Sequence, residues 1–591
     1  MLDISPMMGF YFFIMALKMR AHVVTTSRTY KGKTYKSHLL RHSYREDGKV
    51  KKKTIANITC LGDEVVELIR QSLAGKQLYA ADELFEVEQS LLHGQVKAVL
   101  ATMSRLGFER MLASRKSRMR SLATAMVAAH VIEPDSKLAM PRWWSTTTLP
   151  QELDIEDADE DDLYEAMDWL SDRQPQIEQK LAQRHLSEGS FVLYDLTSSY
   201  FEGKTCPLAK LGHNRDGKKG KLQVNYGLVS DKQGRPISVS VYEGNTGDTK
   251  TLLDQVDKVR EQFGIEKMVL VGDRGMISQK QIDGIKGHKG VDWLTALRTT
   301  AIRQLVDSGA LQMGLFDERN IFELRHEDYP GERLVACRNP ELAKLREAKR
   351  RSLLNATAAE LDKVKKMVTN GKLAGKDKIG VRVGRVINKY KVAKHFDLTI
   401  RAKSFSYEIA EDRVEAEAAL DGVYVVRTSV KKKMMSKEEA VLSYKRLSEV
   451  ERAFRALKSI DMLVRPIRHR VPCRVRTHIF ICMLAYYVRW HMMEAWRPLL
   501  FCDEDLEAKE HRDPVARARR STSAHEKLAK RKLDDGTTVH SFRTLMASLG
   551  TIVRNECRRK QATEGEGTFR METTPSTEQQ RALDLLMQIS A

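Results

Sequence analysis

The composition of the chain excludes several classes of protein. The 591 residues are 42% hydrophobic, so the chain can bury several cores and is not wholly disordered. Its 100 lysines and arginines outnumber 79 aspartates and glutamates, and the formal net charge of +21 favours a polyanionic partner, most often a nucleic acid. The seven cysteines form no Cys-x-x-Cys pair, which argues against a zinc ribbon and fits free thiols in a reducing cytoplasm.

The N-terminal segment from Pro6 to Leu17 is apolar but does not predict a membrane anchor. A span needs roughly 20 apolar residues, and a secretory signal would begin with basic residues. We therefore expect no membrane partner. The plainest interpretation is that translation begins at Met15 or Met19, so that much of an apolar leader, residues 1–21, is not translated.

The first half of the chain predicts a small β-rich module followed by helices. In residues 22–62, Asp47-Gly48 separates two strand-like runs and predicts a hairpin turn. Residues 63–187 show helical spacing of apolar residues, including the whole stretch from Leu84 to Leu112. We interpret this helical region as DNA-binding.

The next segments predict an α/β domain that is interrupted. Residues 188–299 show a hairpin, a third strand, a helix and a short buried strand, which is the order β-β-β-α-β. Residues 300–420 form a long charged insertion. Residues 421–500 contain a strand, a helix of about 22 residues beginning near Ser436, and an apolar helix that we interpret as buried. The charged tail, 501–591, is expected to be loosely ordered or to bind a partner.

Three acidic residues occupy positions that suggest chemistry. Asp195 ends the first predicted strand of the α/β domain, Asp273 ends the fourth, and Glu451 lies in the middle of the following long helix. Ligands bind at the carboxyl ends of strands in open α/β sheets. If the two strands are neighbours, their aspartates repel one another unless one is protonated or a cation bridges them. Oxygen ligands without a nearby Cys or His cluster select Mg²⁺, with Mn²⁺ as a substitute.

A pair of such ions has a defined use. Two ions about 3.5–4 Å apart can hold the attacking and leaving oxygens of a phosphodiester displacement. The helix adds a second indication, because Tyr444, Glu451 and Lys458 are spaced by seven residues and therefore share one stripe of a continuous helix. A carboxylate between a phenol and an ammonium suits a phosphate backbone that passes along the helix. The alternative is an ordinary charged surface helix.

These motifs resemble a known family. YDLTS, GNTGDTKTL, VGDRGMI, DGVYVVRTS and the Y-x6-E-x6-K helix are similar to the DDE transposases of bacterial insertion sequences, in the branch with a Tyr-Arg-Glu-Lys catalytic helix. The resemblance implies a ribonuclease H-like catalytic domain that is interrupted by an inserted domain between the second and third acids. It also implies that Asp195, Asp273 and Glu451 are the catalytic, metal-binding acids.

The resemblance also implies DNA contacts. Tyr444 and Lys458 would contact the transposon end. The arginine of the signature is replaced by Leu447 here, so Arg452 or Arg455 are the alternatives for that role. Further phosphate contacts are expected at the residues that follow: Arg274, for which a structural ion pair is the alternative, and Arg465 and Arg468 in a dense basic segment.

The functional hypothesis is a transposase that performs cut-and-paste DNA transposition. It would bind the terminal inverted repeats of its insertion sequence and catalyse Mg²⁺-dependent cleavage and strand transfer of double-stranded DNA with two ions. The resemblance implies that it acts as a homodimer across two DNA ends. No Walker A motif is present, so no ATP is expected, and the predicted location is the bacterial cytoplasm, at the nucleoid. The alternatives are a catalytically idle or repurposed DNA-binding protein on the same fold, or a structure-selective ribonuclease H-like endonuclease.

Overall fold

A computed structural model describes residues 21–76, 84–507, 512–516, 518–560 and 567–590. The predicted leader and start codon lie outside these residues. The chain forms two compact units, one made of residues up to Ser90 with Asn555–Glu572, and the other of Leu91–Arg554 with the remaining C-terminal residues.

The strands follow one another along the chain. They are β1 (Ala21–Tyr30), β2 (Lys33–Glu46), β3 (Lys49–Asn57), β4 (Phe85–Leu92), β5 (Ser190–Tyr200), β6 (Gln223–Ser230), β7 (Pro236–Glu243), β8 (Met268–Val271), β9 (Val291–Ala296), β10 (Ile321–Leu324), β11 (Arg333–Arg338), β12 (Phe396–Ile400), β13 (Phe405–Ile409), β14 (Val423–Thr428), β15 (Val553–Arg559) and β16 (Thr568–Glu572).

The α-helices fall between these strands. They are α1 (Asp63–Leu73), α2 (Gly94–Arg105), α3 (Phe108–Leu112), α4 (Arg118–Ile132), α5 (Met140–Trp144), α6 (Leu149–Leu153), α7 (Glu160–His185), α8 (Leu252–Asp257), α9 (Gln279–Ile285), α10 (Thr299–Asp307), α11 (Leu315–Glu318), α12 (Pro340–Thr369), α13 (Lys376–Ile387), α14 (Glu411–Ala418), α15 (Lys437–Lys445), α16 (Leu447–Lys458), α17 (Pro472–Ala495), α18 (Thr522–Lys530), α19 (Phe542–Leu549) and α20 (Thr577–Met587).

The first unit contains the predicted hairpin. β1, β2 and β3 form an antiparallel sheet, and Asp47 and Gly48 both have positive φ (52° and 76°) at the turn between β2 and β3. Helix α1 is attached to this sheet by the buried His38, whose ring lies 2.8 Å from the carboxylate of Asp63 and 2.9 Å from the hydroxyl of Thr25. The β-rich prediction for this region is confirmed.

One part of the predicted helical region is a strand. The stretch from Leu84 was expected to be helical, but Phe85–Leu92 forms β4, which belongs to a three-stranded sheet with β15 and β16. Ser90 donates a hydrogen bond to Asn555, and Arg558 forms an ion pair with Glu86 at 2.6 Å. Local spacing cannot reveal this pairing, because the partner strand lies more than 450 residues later in the chain.

The second unit is built on an eight-stranded mixed sheet. Its order is β10-β11-β14-β9-β8-β5-β6-β7. β5 pairs with β6 in antiparallel and with β8 in parallel orientation, and β9 is parallel to β8. The predicted order β-β-β-α-β is therefore confirmed as β5, β6, β7, α8 and β8.

The apolar helix of the sequence is α17, and it is buried as predicted. It packs against α4, α7 and β7, and nearly all of its residues from Val475 to Met492 are shielded from solvent. In the described residues, no helix is both long enough and apolar enough to cross a membrane.

Residues 300–420 divide between two cores. β10 and β11 extend the large sheet beyond β14. The helical pair α12 and α13 packs with the hairpin β12-β13 around a separate apolar cluster that includes Leu361, Val364, Ile379 and Val383.

The C-terminal segment is ordered where the structure describes it, which differs from the expected loose tail. The indole of Trp496 donates a hydrogen bond of 2.8 Å to the carbonyl of Ala582 in α20, and Arg105 donates one of 3.0 Å to the carbonyl of Ile589. α19 and α20 pack on α2. The segment is polar overall, but its two last helices bury apolar residues at helical spacing: Phe542, Leu545, Leu549, Ala582 and Leu586.

Candidate catalytic site

Two of the predicted acids lie side by side at the edge of paired strands. The parallel pairing of β5 and β8 ends at Leu193 and Val271, and Asp195 and Asp273 each follow two residues later. Asp195 was expected from the sequence to end its strand, and this expectation is wrong, because β5 continues along β6 to Tyr200. It lies where the pairing with β8 stops, so both carboxyl groups reach the same opening in the sheet.

The environment of Asp195 favours its neutral form in the metal-free protein. Burial, together with the charges of Asp273 and Glu451, raises the pKa of its carboxyl group to about 7. A hydrogen bond of 2.8 Å from the backbone of Leu196 and the charge of Arg215 act in the opposite direction. The shift shows that the three acids act on a common, poorly solvated space.

Asp273 is exposed and is held by the loop that follows β8. Its Oδ1 accepts hydrogen bonds from the backbone of Gly275 (2.9 Å) and Met276 (2.6 Å). A Cβ atom added to Gly275 would lie 3.3 Å from that same oxygen. Glycine at this position therefore leaves the carboxylate room to accept a ligand.

Glu451 comes from α16, which packs against β5. The helix buries Val450, Phe454 and Leu457 and leaves Glu451 exposed. Its charge contributes to the raised pKa values of both Asp195 and Tyr444, so the third acid acts electrostatically on the same site.

The stripe predicted from Tyr444 to Lys458 does not lie on one continuous helix. α15 ends at Lys445 and α16 begins at Leu447, and the backbone N–H of Glu449 donates to the carbonyl of Arg446 in a tighter turn. Tyr444 still faces the site. Burial raises the pKa of its hydroxyl to about 12, with the charge of Asp273 adding to the shift and that of Arg274 opposing it.

Lys458 takes part in an ion-pair cluster around a residue that the sequence did not single out. Its ammonium lies 3.0 Å from Asp216, and Arg465 pairs with the same carboxylate oxygen. The other oxygen of Asp216 accepts a hydrogen bond of 2.9 Å from the backbone of Tyr200. An Asp-Gly pair such as Asp216-Gly217 is typical of a hairpin turn, so the sequence does not indicate that Asp216 is buried and central.

The remaining predicted DNA-contacting arginines lie on the surface. Arg452 pairs with Glu449 at 2.7 Å, and Arg468 lies 3.5 Å from Glu202. Arg274 and Arg455 are exposed and form no ion pair with another described residue. Their cationic groups are therefore available to an incoming anion.

The signature position that departs from the family is explained by packing. Leu447 is buried in the main core, where an arginine would be costly. The adjacent Arg446 turns away and donates a hydrogen bond of 3.1 Å to the carbonyl of Lys232.

Arg215 belongs to the basic loop of residues 211–221, for which the sequence predicts either a hairpin tip or a DNA contact. It pairs with Asp248 at 2.5 Å, its backbone N–H donates to Ser198, and its charge lowers the pKa of Asp195. The basic loop that carries it therefore folds back along β5, toward the acids.

The donor set fits a divalent cation. The pKa of Asp195 is raised to about 7 in part by two neighbouring acids, so a proton or a bound cation stabilises this carboxyl group. The hard oxygen atoms of these acids are the ligands that such cations prefer.

Residues 187–488, about half of the chain, match the family described as "Transposase DDE domain". The chain belongs to the DDE transposases. A second family, described as the N-terminal domain of IS1634 family transposases, matches residues 23–87. The chain is therefore a transposase of an insertion sequence, which is a metal-dependent DNA endonuclease and strand transferase that binds DNA.

This transposase was also compared with curated proteins and with solved structures. No curated protein matches the chain. A cryo-EM structure of the piggyBac transposase synaptic complex with hairpin DNA is 9% identical and is covered to 76%, with 77% of this chain aligned and a TM-score of 0.32. A likeness of that size does not bear on the details of the fold.

Proposed function

We propose that this transposase cuts the terminal inverted repeats of its own element and joins the freed ends to target DNA, with Asp195, Asp273 and Glu451 as the catalytic, metal-binding acids. The observation that supports the proposal is the register of β5 and β8, which brings the two aspartates to the same end of the paired strands, where the charge of Glu451 also acts on Asp195. We also propose two Mg²⁺ ions, for which Mn²⁺ substitutes.

The arrangement of the strands supports a ribonuclease H-like core. β6 and β7 extend the sheet in antiparallel fashion on one side of β5, while β8 and β9 extend it in parallel on the other. The segment between β9 and β14 is then the inserted domain, and residues 22–62 and 63–187 supply recognition of the element's ends. The segments 188–299 and 421–500 together form the catalytic core.

Different residues of the site would bind the metal ions and the phosphate. Divalent ions in such a site activate a water molecule and stabilise the leaving 3′ oxygen. Asp195 must lose its proton to bind a cation, so its raised pKa couples metal binding to proton release. Arg274, exposed next to Asp273, is placed to hold a phosphate, and Tyr444 lines the same space.

DNA contacts extend from this site over the basic surface. We assign backbone contacts to Tyr444, Lys458, Arg274, Arg452, Arg455, Arg465 and Arg468, in keeping with the Tyr-Arg-Glu-Lys branch. In this assignment Lys458 and Arg465 act from their shared pair with Asp216. The working form is a homodimer on two DNA ends, at the nucleoid of the bacterial cytoplasm, and it needs no ATP.

The decisive experiment incubates the protein with the element's ends and Mg²⁺ and maps cut positions and strand-transfer products. We expect cleavage and joining by the wild type, and neither by Asp273→Asn. Asp283→Asn is the matched control, because Asp283 is an exposed carboxylate in α9 that takes no part in the site. Binding without cleavage by the wild type would identify an idle or repurposed copy, and cleavage without joining would identify a nuclease.

A further inference from the structure

A cationic cavity lies beside the end of the catalytic helix. It has a volume of about 390 Å³ and is bordered by the turn between α4 and α5 and by the segment that follows α16. The side chains that define its character are Lys137, Arg465, Arg468, His469 and His478. Asp135 is the one acidic residue in the lining among the described residues.

Lys137 is the unusual member of this group. The residue is only 2% exposed, and its ammonium makes no hydrogen bond to any described residue. Burial lowers the pKa of this amine to about 8. The charge of Asp135 acts on this amine without an ion pair between the two described residues, so the buried ammonium would be further stabilised by an anion.

The other side chains that line the cavity also favour an anion. Arg468 is largely exposed and contacts Glu202 only at 3.5 Å, so it can turn to a ligand. Burial and the charge of Lys137 lower the pKa of His469 to about 4 and hold that of His478 well below its usual range. Both rings are therefore neutral, and the Nδ1 atom of His478 has no partner among the described residues.

A metal ion is the competing occupant, and the charges argue against it. His130, His478 and Cys482 bring three ligand atoms within 4.8 Å of one another next to the cavity. However, burial raises the pKa of the Cys482 thiol to about 12, which disfavours the thiolate that a metal needs. The ammonium of Lys137 beside the same atoms repels a cation and attracts an anion.

We propose that this cavity binds a phosphate group of the DNA backbone, with Lys137 as its central contact. The proposal rests on the proposed function, because it names a DNA contact of the same catalytic domain. The cavity adjoins the catalytic helix, since Arg465 lines it and also donates a hydrogen bond of 3.0 Å to the carbonyl of Lys458, the last residue of α16. A phosphate held there fixes the DNA strand with respect to Glu451.

The first test compares DNA affinity. We expect Lys137→Met to weaken duplex binding about fivefold to tenfold and to reduce the salt dependence by about one released counterion. Lys137→Arg, which keeps the charge, is expected to bind nearly as the wild type does. Lys116→Met is the matched control, because Lys116 pairs with Asp154 at 2.7 Å beside an acidic stretch. Unchanged affinity and salt dependence in Lys137→Met would overturn the proposal.

The second test uses stability and inorganic phosphate. In chloride buffer Lys137→Met should melt at or above the temperature of the wild type, because it removes an unpaired buried charge. Inorganic phosphate at constant ionic strength should raise the melting temperature of the wild type but not of Lys137→Met. A lysine that only supports the fold would give a lower melting temperature in the variant and no phosphate effect, which contradicts the proposal.

Together, the DNA-affinity test and the inorganic-phosphate test distinguish a DNA phosphate from a free anion. They also distinguish failure of the cavity proposal from failure of the proposed function. Stabilisation by inorganic phosphate with unchanged DNA affinity in Lys137→Met would make a free anion the ligand and overturn the DNA assignment. A wild type that cleaves its ends while Lys137→Met binds DNA normally would leave the proposed function intact and remove the cavity from it. A wild type that fails to cleave would remove the proposed function, whatever the DNA affinity of the variant.

Discussion

Asp195 in β5 and Asp273 in the loop after β8 each lie two residues beyond Leu193 and Val271, the last pair in the parallel pairing of the two strands. The charges of Asp273 and Glu451 both raise the pKa of Asp195. The predictions below test what this proximity does.

Removal of the Asp273 charge should lower the pKa of Asp195. We expect Asp273→Asn to abolish cleavage and also to lower the pKa of Asp195, because a repelling carboxylate is lost. NMR titration of the metal-free protein with labelled aspartate would measure the shift. Asp283→Asn should leave both cleavage and the pKa of Asp195 unchanged; an equal loss of cleavage in this control would point to a general effect on folding.

The pH dependence of stability follows from the raised pKa of Asp195. Its folded value of about 7 exceeds the ordinary 3.8, so between these values the folded state holds a proton that the unfolded state releases. Stability therefore falls as pH rises through this window. In EDTA, Asp195→Asn should be more stable than the wild type at pH 8 and about equally stable at pH 4. Parallel curves for the two proteins from pH 4 to pH 8 would contradict the assignment.

Metal binding should release the proton that Asp195 holds in the metal-free protein. Near pH 6, where Asp195 is mostly neutral, binding of Mn²⁺ should release up to about one proton, and at pH 8 it should release almost none. Calorimetry in buffers of different ionisation enthalpy gives the number of protons directly. A proton count that does not change with pH would show that Asp195 is not a ligand.

Gly275 should be sensitive to even a small side chain. The Cβ of alanine would lie 3.3 Å from Oδ1 of Asp273, so the carboxylate must shift. We expect Gly275→Ala to reduce cleavage and metal affinity while the melting temperature changes little. Gly380→Ala in α13 is the control, because no atom lies within 4 Å of its added Cβ. Wild-type cleavage by Gly275→Ala would show that the loop has more freedom than its hydrogen bonds suggest.

Asp216 should matter for stability more than the cations that it binds. Asp216→Asn leaves Lys458 and Arg465 without their shared counter-charge, and we expect a loss of about 2–4 kcal/mol in the free energy of unfolding. Urea denaturation measures this loss. The double variant Asp216→Asn with Lys458→Met should regain part of it, since one unpaired charge is removed; strictly additive losses would mean that the pair is not coupled.

The sequence predicted the catalytic sheet well because its signals are local. Four-residue β8 is apolar throughout and breaks at Gly272, and the hairpin of β6 and β7 is marked by a polar turn. The sequence left open whether β5 and β8 are neighbours, and the parallel pairing of the two strands meets that condition. The positions of Asp195 and Asp273 depended only on that placement.

Other features could not be read from local patterns. The interruption at Arg446 arises where Leu447 turns into the core, and a helical pattern continues through it without a glycine or proline to mark the break. β4 owes its strand conformation to β15, far along the chain. The buried roles of Asp216 and Lys137 depend on which cations and anions the fold brings together, which no spacing rule supplies.

The three acids come from β5, from the loop after β8 and from α16, and the last of these is encoded far downstream of the other two. On our assignment, a ribosome that stalls before residue 451 releases a polypeptide with two acids and no means of completing the trio. Premature termination therefore yields an inert product, and the host chromosome is exposed to cutting only by chains whose synthesis has passed the final carboxylate.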